Sequence, residues 1–470
     1  MFIIMATTVT TTTAEPVLPN EGGQKKPLLQ EYDLPLREKD MPPVIRQIVG
    51  NAPPNRKVAA FIASLAPLCA LATRIRIKYF YDTRISALLL HVIIEGPQSS
   101  GKSFAADIED LIMRDTLKAR DKEQRRKEQN YREKKKRRSQ NKQLEEEPKT
   151  DIRVVPPTIS KTVLVKRADF YERNLGDVLT FWMFAEELSQ VTDAGKQGYS
   201  NLRTIMRTAY DLGSRFGMDF ASDNSYSAIA DINICSMFCS TPSALDEYMD
   251  KKAIEGGNIT RTVLCKLDDQ IGADGQLFKP FSDNQLNAIS GTLAKIMSDT
   301  YTADGALRDV RLLDTSWIDK DVRRWCVSKG KEALATGSSA IDVFRKRSSV
   351  SAFRIMALCY YLYLIDGTPE PLAQKRSRKI YLFMADYILG MLLARWGGRF
   401  EELQAKRGDF SITSSRPKLI DRLSKEFSRD QLRVLIQEYG VATPDRVLIS
   451  QWKANKWIEE TGKYVYRKLI

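Results

Sequence analysis

The sequence predicts an α/β protein in which a parallel sheet is followed by an α-helical domain. Short apolar runs alternate with helical patterns between residues 88 and 279, as expected for strands joined by crossover helices. A glycine-rich turn joins the first apolar run to the helix after it. Beyond Pro280 the patterns are helical as far as a short strand-like tail.

Composition indicates a protein with two or three domains and a polyanionic partner. The chain has 470 residues, 43% of them hydrophobic, and a formal net charge of +14. Such a length exceeds one ordinary domain. The charge favours nucleic acid over a membrane as the partner.

The sequence also indicates a soluble, cytoplasmic protein without histidine chemistry. No run of eighteen apolar residues occurs, and the apolar start lacks a basic region, so we expect no membrane contact. None of the six cysteines forms a C-x-x-C pair, which disfavours a zinc ribbon, and their sparseness indicates a reducing compartment. Cys235 and Cys239 lie in an apolar run and are predicted to be buried thiols rather than metal ligands. His91 is the only histidine, so Ser-His-Asp and Cys-His catalysis are excluded and we expect it to be packed.

The N-terminal part is predicted as a disordered tail, residues 1–41, and a helical segment, residues 42–87. Threonines crowd residues 7–13, and proline, glycine and lysine follow. Residues 58–72 are rich in alanine and leucine, which predicts a helix beside the main core. Residues 79–83 are interpreted as a turn.

The turn after the first apolar run matches the phosphate-binding pattern G-x-x-x-x-G-K-[ST] at every fixed position. A strand over residues 88–94 precedes it, and a helix from Phe104 follows. Backbone N–H groups would therefore face the phosphates of ATP, Lys102 would reach the β- and γ-phosphates, and Ser103 would bind Mg²⁺. The ATP-binding residues are Gly96, Pro97, Gln98, Ser99, Ser100, Gly101, Lys102 and Ser103.

A highly charged helix is predicted after this loop, within residues 114–147. Residues 114–138 contain thirteen basic and five acidic side chains, so the helix cannot be core and should project as a solvated arm. Two interpretations stay open: an arm that faces nucleic acid, and an exposed charged helix without a partner.

An acid pair follows a later strand of the core, which we place at residues 88–279. The strands are predicted at residues 152–155, 178–185, 228–238 and 262–267, with helices at 161–171, 201–212 and 243–249. A phosphate-binding loop needs a carboxylate for the metal and one for the attacking water, at the end of a neighbouring strand. We assign Glu186 to Mg²⁺ and Glu187 to the water; an ordinary strand end is the alternative.

Two further residues lie at strand ends. Thr241, after Ser240, would sense the γ-phosphate or would cap the helix that begins at Pro242, and both interpretations stay open. Arg261 opens the last strand of the core, where it would reach the nucleotide of an adjacent subunit or form a surface salt bridge. The residues alone favour the salt bridge.

The rest of the chain is predicted as a helical domain, residues 280–415, and a winged-helix-like domain, residues 416–470. Gly397 and Gly398 should break the helical domain. Its helices are predicted at residues 284–298, 318–335, 340–365 and 377–396. The final domain would have helices at 428–439 and 445–460 and a wing strand at 462–470. Its basic side chains would contact DNA, although such small folds often serve only for packing.

Together these motifs resemble a bacterial family of P-loop ATPases carried on mobile elements. The family, long catalogued as a domain of unknown function, is related to the helicase half of primase-helicases. The resemblance covers residues 41 to 365. It depends on the ordered combination of residues 96–103, the charged helix, and residues 184–189, 240–242, 256–261 and 344–354.

The resemblance implies a RecA-like or AAA-like core that forms a homo-oligomeric ring, with a hexamer favoured. Its partner would be DNA, single-stranded or forked, and any primer synthesis would need a separate primase. It gives Glu186 the metal role, Glu187 the water-activating role and Arg261 the role of an arginine finger. The family usually has Asp-Glu where this chain has Glu186-Glu187, and the longer first side chain should slow hydrolysis.

We therefore predict an ATP-hydrolysing DNA helicase or translocase. One alternative is an ATP-dependent DNA-binding initiator or loader that does not unwind. A P-loop kinase is disfavoured by the basic charge and by the lack of an acceptor-binding feature.

Overall fold

The structure is a computed structural model that describes most of the chain. It covers residues 37–82, 84–137, 146–196, 202–211, 213, 215–218, 227–267, 277–407, 419–439, 444–454 and 456–469. The predicted tail therefore lies outside the described residues except for 37–41. Thr83, in the predicted turn, lies outside them too, whereas Phe80 and Tyr81 do form a turn.

The described strands are β1 Ile75–Lys78, β2 Ile85–Ala87, β3 His91–Glu95, β4 Val154–Val155, β5 Thr180–Ala185, β6 Arg215–Met218, β7 Ala228–Asp231, β8 Asn233–Ser240, β9 Thr262–Lys266, β10 Arg311–Leu312, β11 Glu426–Ser428, β12 Ile458–Gly462 and β13 Val465–Lys468. The described helices are α1 Pro43–Gly50, α2 Lys57–Leu71, α3 Phe104–Met113, α4 Ala119–Arg137, α5 Lys161–Leu175, α6 Ser189–Lys196, α7 Leu202–Thr208, α8 Pro242–Tyr248, α9 Lys251–Glu255, α10 Asp283–Thr300, α11 Asp319–Thr336, α12 Ser339–Ile365, α13 Glu370–Leu392, α14 Gly398–Arg407, α15 Arg429–Glu438 and α16 Asp445–Ala454.

The centre of the molecule is a five-stranded sheet in the order β4-β5-β8-β3-β9, and every neighbouring pair is parallel. All residues of β3 and β8 are buried, as expected for strands covered on both faces. The register aligns Ile94 of β3 with Cys239 of β8 and with Cys265 of β9. The predicted α/β class with a parallel sheet is confirmed, and β8 separates the loop strand β3 from β5.

Helices from both halves of the chain enclose this sheet. Every residue of α2 from Ala59 to Leu71 is buried, and α2 packs on α3, β3 and β8. The long helix α12 packs along α13, and Arg354 of α12 donates from Nη1 to the carbonyl of Leu89 at 3.0 Å. One continuous hydrophobic core therefore joins the sheet to the helices after Pro280.

Among the residues that the structure describes, two helical stretches are long and apolar enough to cross a membrane, Ser339–Ile365 and Glu370–Gln404. Their most apolar windows are 83% and 67% buried inside the protein, which is the behaviour of core helices in a soluble protein. The six cysteines are buried and unpaired, and the predicted burial of Cys235 and Cys239 is confirmed.

Several strand predictions are wrong. The run over residues 228–238 is two strands: β7 pairs with β6 in an antiparallel hairpin, and only β8 joins the central sheet. The segment 42–87 is not purely helical, because it contains β1 and β2. Strands also continue past Pro280, since β10 pairs with β1 in parallel. The short strands β1, β2, β7 and β10 have too few residues for an alternating apolar–polar pattern to be recognised in the sequence.

The predicted break at Gly397 and Gly398 is also wrong. A π-helical turn, Leu393–Gly397, leads directly from α13 into α14. Trp396 and Phe400 are buried on either side of the two glycines, so tertiary packing overrides their low helix propensity.

The charged helix α4 is anchored at its start, contrary to the prediction of a fully solvated arm. Asp121 is only 2% exposed and accepts hydrogen bonds from the N–H groups of Arg153 at 2.9 Å and Val154 at 2.5 Å. Arg120 pairs with Asp151 at 3.0 Å. The helix becomes fully exposed from Arg132 to its end, and residues 138–145 lie outside the described part.

The C-terminal residues form a small unit with its own core. The antiparallel sheet has the order β11-β13-β12, and Leu432, Leu448, Trp452 and Tyr466 are buried beneath it. Helix α16 ends at Ala454, earlier than predicted, because residues 458–462 pair with β13 instead. The predicted strand in the tail is present as β13.

Candidate functional site

The glycine-rich loop connects β3 to α3, so the predicted order of strand, loop and helix is confirmed. Ser99 and Gly101 adopt left-handed backbone conformations, with φ of 60° and 71°. The Ser100 hydroxyl donates to the Pro97 carbonyl at 2.8 Å. A Cβ atom on Gly96 would lie 2.4 Å from that hydroxyl oxygen, which explains glycine at this position.

The side chain of Lys102 curls over the loop. Its Nζ donates to the carbonyl of Gly96 at 2.9 Å and to that of Pro97 at 2.5 Å. Ser103 is exposed immediately before the ten-residue helix α3, whose positive end faces the loop. The concave loop, the ammonium group and the helix start together can bind a phosphate group.

The acid pair lies at the same edge of the sheet as the loop. Glu186 and Glu187 are exposed and directly follow β5, and the next N–H, that of Leu188, donates to the carbonyl of Cys239 at 2.8 Å. Because β8 lies between β5 and β3, the acids emerge two strand spacings, about 10 Å, from the loop strand.

Cys239 is near the end of β8, the strand that separates the loop side of this site from the acid side. Burial raises the pKa of its thiol to about 12, the charge of Lys102 lowers this pKa and that of Glu186 raises it. Lys102 follows β3 and Glu186 follows β5 at the same edge of the sheet, with β8 between them. The Oε2 of Glu187 accepts a hydrogen bond from the Ser189 hydroxyl at 3.4 Å.

Thr241 lies beside the loop and caps a helix. The N–H of Gly96 donates to the carbonyl of Ser240 at 3.0 Å, which fixes the end of β8 against the loop. The Thr241 hydroxyl accepts from the N–H of Ala244 at 3.3 Å. The capping role is therefore present, and contact with a phosphate stays a prediction.

Arg261 lies at the opposite edge of the sheet. It precedes β9, whose first residue, Thr262, is aligned with His91, so the length of β9, about 16 Å, separates it from the loop. Its Nη1 donates to the carbonyl of Gly257 at 3.0 Å, and its Nη2 lies 3.7 Å from Asp211. The structure does not bring Arg261 to the loop of its own chain.

His91 is a packed residue, as predicted. Its Nδ1 lies 3.0 Å from the Ser236 hydroxyl and its Nε2 lies 3.0 Å from the carbonyl of Met206. Burial lowers the pKa of the ring to about 4, so the imidazole is neutral at physiological pH.

Sequence reasoning missed a buried ion pair next to the loop. Glu95, the residue before Gly96, is 2% exposed, and its Oε1 lies 3.1 Å from Nε of Arg395. Burial raises the pKa of Glu95, and Arg395 opposes that rise. Arg395 also pairs with Asp246 at 2.9 Å. Glu95 directly precedes the motif in the sequence, but no local pattern indicates that residue 395 would be its partner.

This ion pair lines a cleft of about 1110 Å³ beside the loop. Its walls combine apolar side chains, including Val58, Leu267, Tyr387 and Met391, with the polar groups of Asn55 and Lys266. The cleft adjoins the loop directly, because side-chain atoms of Leu267, in its wall, are among the atoms that a Cβ on Gly96 would meet. A concave cleft that combines apolar walls with a few polar groups is suited to a small organic ligand.

No cluster of three or more histidine, cysteine, aspartate or glutamate side chains with metal-binding geometry occurs among the residues that the structure describes. A scan against protein-family models finds no match to this chain, and a search of curated proteins finds no significant match.

Proposed function

We propose that this protein binds and hydrolyses ATP at the loop of residues 96–103. The observation that carries the proposal is that the loop after β3 and the acid pair after β5 lie at one edge of the parallel sheet, with β8 between the two strands. A phosphate-binding loop and a carboxylate at one sheet edge are what triphosphate hydrolysis requires.

The chain supplies oxygen ligands that fit Mg²⁺. The Ser103 hydroxyl and the Glu186 carboxylate are both exposed at the site. Mg²⁺ favours hard oxygen ligands and is usually held by one or two carboxylates together with substrate phosphates. Bound there, the ion would neutralise charge on the phosphate oxygens.

Lys102 and the loop N–H groups would hold the β- and γ-phosphates, and Lys102 would exchange its contacts with the loop carbonyls for phosphate oxygens. Glu187 would orient a water for in-line attack on the γ-phosphate. Thr241 would contact the γ-phosphate from the end of β8. The nucleoside would occupy the cleft beside Glu95, against Tyr387 and Met391.

The proposal includes a RecA-like or AAA-like core and an oligomeric ring, with a hexamer favoured. In such a ring Arg261 would act on the nucleotide of a neighbouring subunit, because it is too far from its own loop. It would have to leave its contacts with Gly257 and Asp211 to do so.

DNA is the proposed partner. The exposed second half of α4 ends in Lys134, Lys135, Lys136 and Arg137, and the whole chain carries a net charge of +14. The C-terminal unit, with α15, α16 and the β12–β13 hairpin, would be a winged helix in contact with DNA. A cytoplasmic motor that moves on the DNA of a bacterial mobile element, with a separate primase, is the function that we propose.

ATP turnover by three variants tests the proposal. Lys102→Ala should abolish phosphate release, whereas Glu187→Gln should retain ATP binding without turnover. Lys375→Ala, an exposed lysine on α13, is the matched control and should hydrolyse ATP at the wild-type rate. Parental turnover by the Lys102 variant, with unchanged circular dichroism, would refute the site.

Two further measurements test the motor and the ring. Phosphate release that single-stranded DNA stimulates, together with strand displacement, is expected of a translocating helicase. ATP-dependent DNA binding without displacement would favour the initiator or loader. The mass of the assembly with ATP and Mg²⁺ tests the ring, and a monomer under all conditions would contradict a role for Arg261 in a second subunit.

A further inference from the structure

A groove lies on either side of the segment Tyr79–Phe80–Tyr81, between the β1–β2 connection and helices α11 and α12. It consists of two adjoining clefts of about 850 Å³ and 1260 Å³, and Tyr79, Tyr81 and Lys346 line both of them. We call this feature the aromatic groove. Arg354, in its wall, bonds to Leu89 before the start of β3. The aromatic groove is therefore at the opposite end of β3 from the phosphate-binding loop.

Positive charge dominates the aromatic groove. Three carboxylates line it, and each is already paired with cations of the same walls: Asp82 with Arg84 at 3.0 Å, Asp211 with Arg347 at 3.4 Å, and Asp342 with Arg345 and Lys346 at 2.6 Å. The cationic lining residues outnumber the carboxylates two to one: Arg84, Lys331, Arg345, Lys346, Arg347 and Arg354. A polyanion would complement this surplus.

Two exposed aromatic rings lie at the groove: Tyr81 lines both clefts, and Phe80 precedes it in the chain. Tyr81 is 55% exposed and Phe80 is 37% exposed, and their rings meet edge to face with centroids 4.7 Å apart. Tyr79 anchors the segment, because its hydroxyl donates to Ser349 at 2.7 Å and its ring packs edge-on against Phe353. The backbone is thus fixed while the outer rings stay available for stacking.

We propose that the aromatic groove binds a single strand of nucleic acid. Unpaired bases would stack on Tyr81 and Phe80. Backbone phosphates would contact Lys331, Arg345 and Lys346, three cations that share the single carboxylate of Asp342 in their cleft. Stacking on aromatic rings beside a cationic track is how proteins hold single strands without reading their sequence. A duplex keeps its base faces stacked on one another and would gain nothing from the rings. The inference gives the proposed motor its strand-binding surface, but binding here requires no ATP.

Fluorescence anisotropy with a labelled oligothymidylate of roughly 16 nucleotides, without any nucleoside triphosphate, tests this proposal on the full-length protein. Tyr81→Ala should weaken binding about tenfold, which corresponds to the loss of one stacked base. Tyr81→Phe keeps the ring and should bind like the wild type. The loss should be absent with a duplex of the same length.

The charges are tested by salt dependence. Lys346→Gln should reduce the slope of log affinity against log salt by about 0.7, as expected for one phosphate contact on a single strand. Lys375→Gln is the matched control, because Lys375 is exposed near the far end of α12, and it should leave the slope unchanged.

Three results would overturn the proposal: no oligothymidylate binding by the wild type, wild-type affinity in both Tyr81→Ala and Lys346→Gln, or tighter binding of polyglutamate than of oligothymidylate, which would indicate an acidic protein partner. Because the assay contains no ATP, each of these results can be interpreted even if the protein does not hydrolyse ATP.

Discussion

Arg395→Ala tests the buried ion pair that ties the end of α13 to the phosphate-loop strand. The Arg395 guanidinium lies 3.1 Å from Oε1 of Glu95, and Oε2 of Glu95 has no hydrogen-bond partner among the described residues. Removal of the guanidinium therefore leaves a buried carboxylate with little compensation. The expected result is a loss of stability that depends on the charge of Glu95.

The magnitude follows from burial. Removing one partner of a fully buried ion pair costs about 3–5 kcal/mol. Arg395 is 22% exposed at its side chain, and Lys266 also acts favourably on Glu95. We therefore expect about 2 kcal/mol at pH 8, below the range for a fully buried pair.

The loss should grow with pH. Burial already raises the folded-state pKa of Glu95 above its ordinary value of 4.5, and without Arg395 this pKa rises further. Below the unfolded-state pKa the carboxyl is neutral in both states, so the variant loses little. As pH rises through the folded-state pKa, the folded protein must hold an unpaired buried charge, and the deficit reaches its full size.

The assay is urea unfolding followed by tryptophan fluorescence at about pH 5, 6.5 and 8, for the wild type, Arg395→Ala, Glu95→Gln and the double variant. The cycle isolates the coupling between the two residues. Asp246→Ala is the control for the other, more exposed contact of Arg395 and should cost less than about 1 kcal/mol. The reasoning is refuted if Arg395→Ala costs the same with and without Glu95→Gln, or if its cost is independent of pH.

Three further predictions concern stability; the first two are measured by denaturation and the third by hydrogen exchange. Burial raises the pKa of Asp121 to about 7, so wild-type stability should fall as pH rises from about 4 to 7, by at most about 4 kcal/mol, and Asp121→Asn should flatten that profile. An equal fall in the variant would contradict the assignment. Gly96→Ala should force the Ser100 hydroxyl away from its acceptor at a cost of about 1 kcal/mol, and should cost less in a Ser100→Ala background. Additive costs would show that no clash occurs. Burial alone would raise the pKa of Asp445, but hydrogen bonds from Arg429 and Arg433 lower it to about 2. These bonds therefore stabilise the folded protein fully above pH 3.8, and the stabilisation is lost as pH falls towards 2. Asp445→Asn should remove about 1 kcal/mol from the C-terminal unit at pH 7, seen by hydrogen exchange in β13, and unchanged exchange would refute this.

The sequence predicted the parts of the structure that local patterns determine. The helix α2 differs from its prediction by one residue at each end, and the loop has the predicted neighbours. The strand β3 begins three residues late for a physical reason. Leu89 is apolar and buried, as in a strand, but its carbonyl accepts from Arg354 of α12 rather than from a neighbouring strand.

In the candidate site, too, the sequence predicted the features that follow from strand topology but not those that depend on tertiary packing. The acid pair could be placed at the loop edge because parallel strands end at a common edge, and the structure brings Glu186 there. Arg261 opens a strand, so the same reasoning places it at the other edge, as observed. The partnership of Glu95 with Arg395 could not be predicted, because it depends on how α13 packs against the sheet.

The burial of all six native thiols has a practical consequence for labelling. Cys69, Cys235 and Cys239 are at most 3% exposed, and burial raises the pKa of each, so little reactive thiolate forms near neutral pH. A single cysteine introduced on the surface should therefore react with a maleimide fluorophore far faster than the native ones. Site-specific fluorescent reporters can then be attached without first removing the natural cysteines.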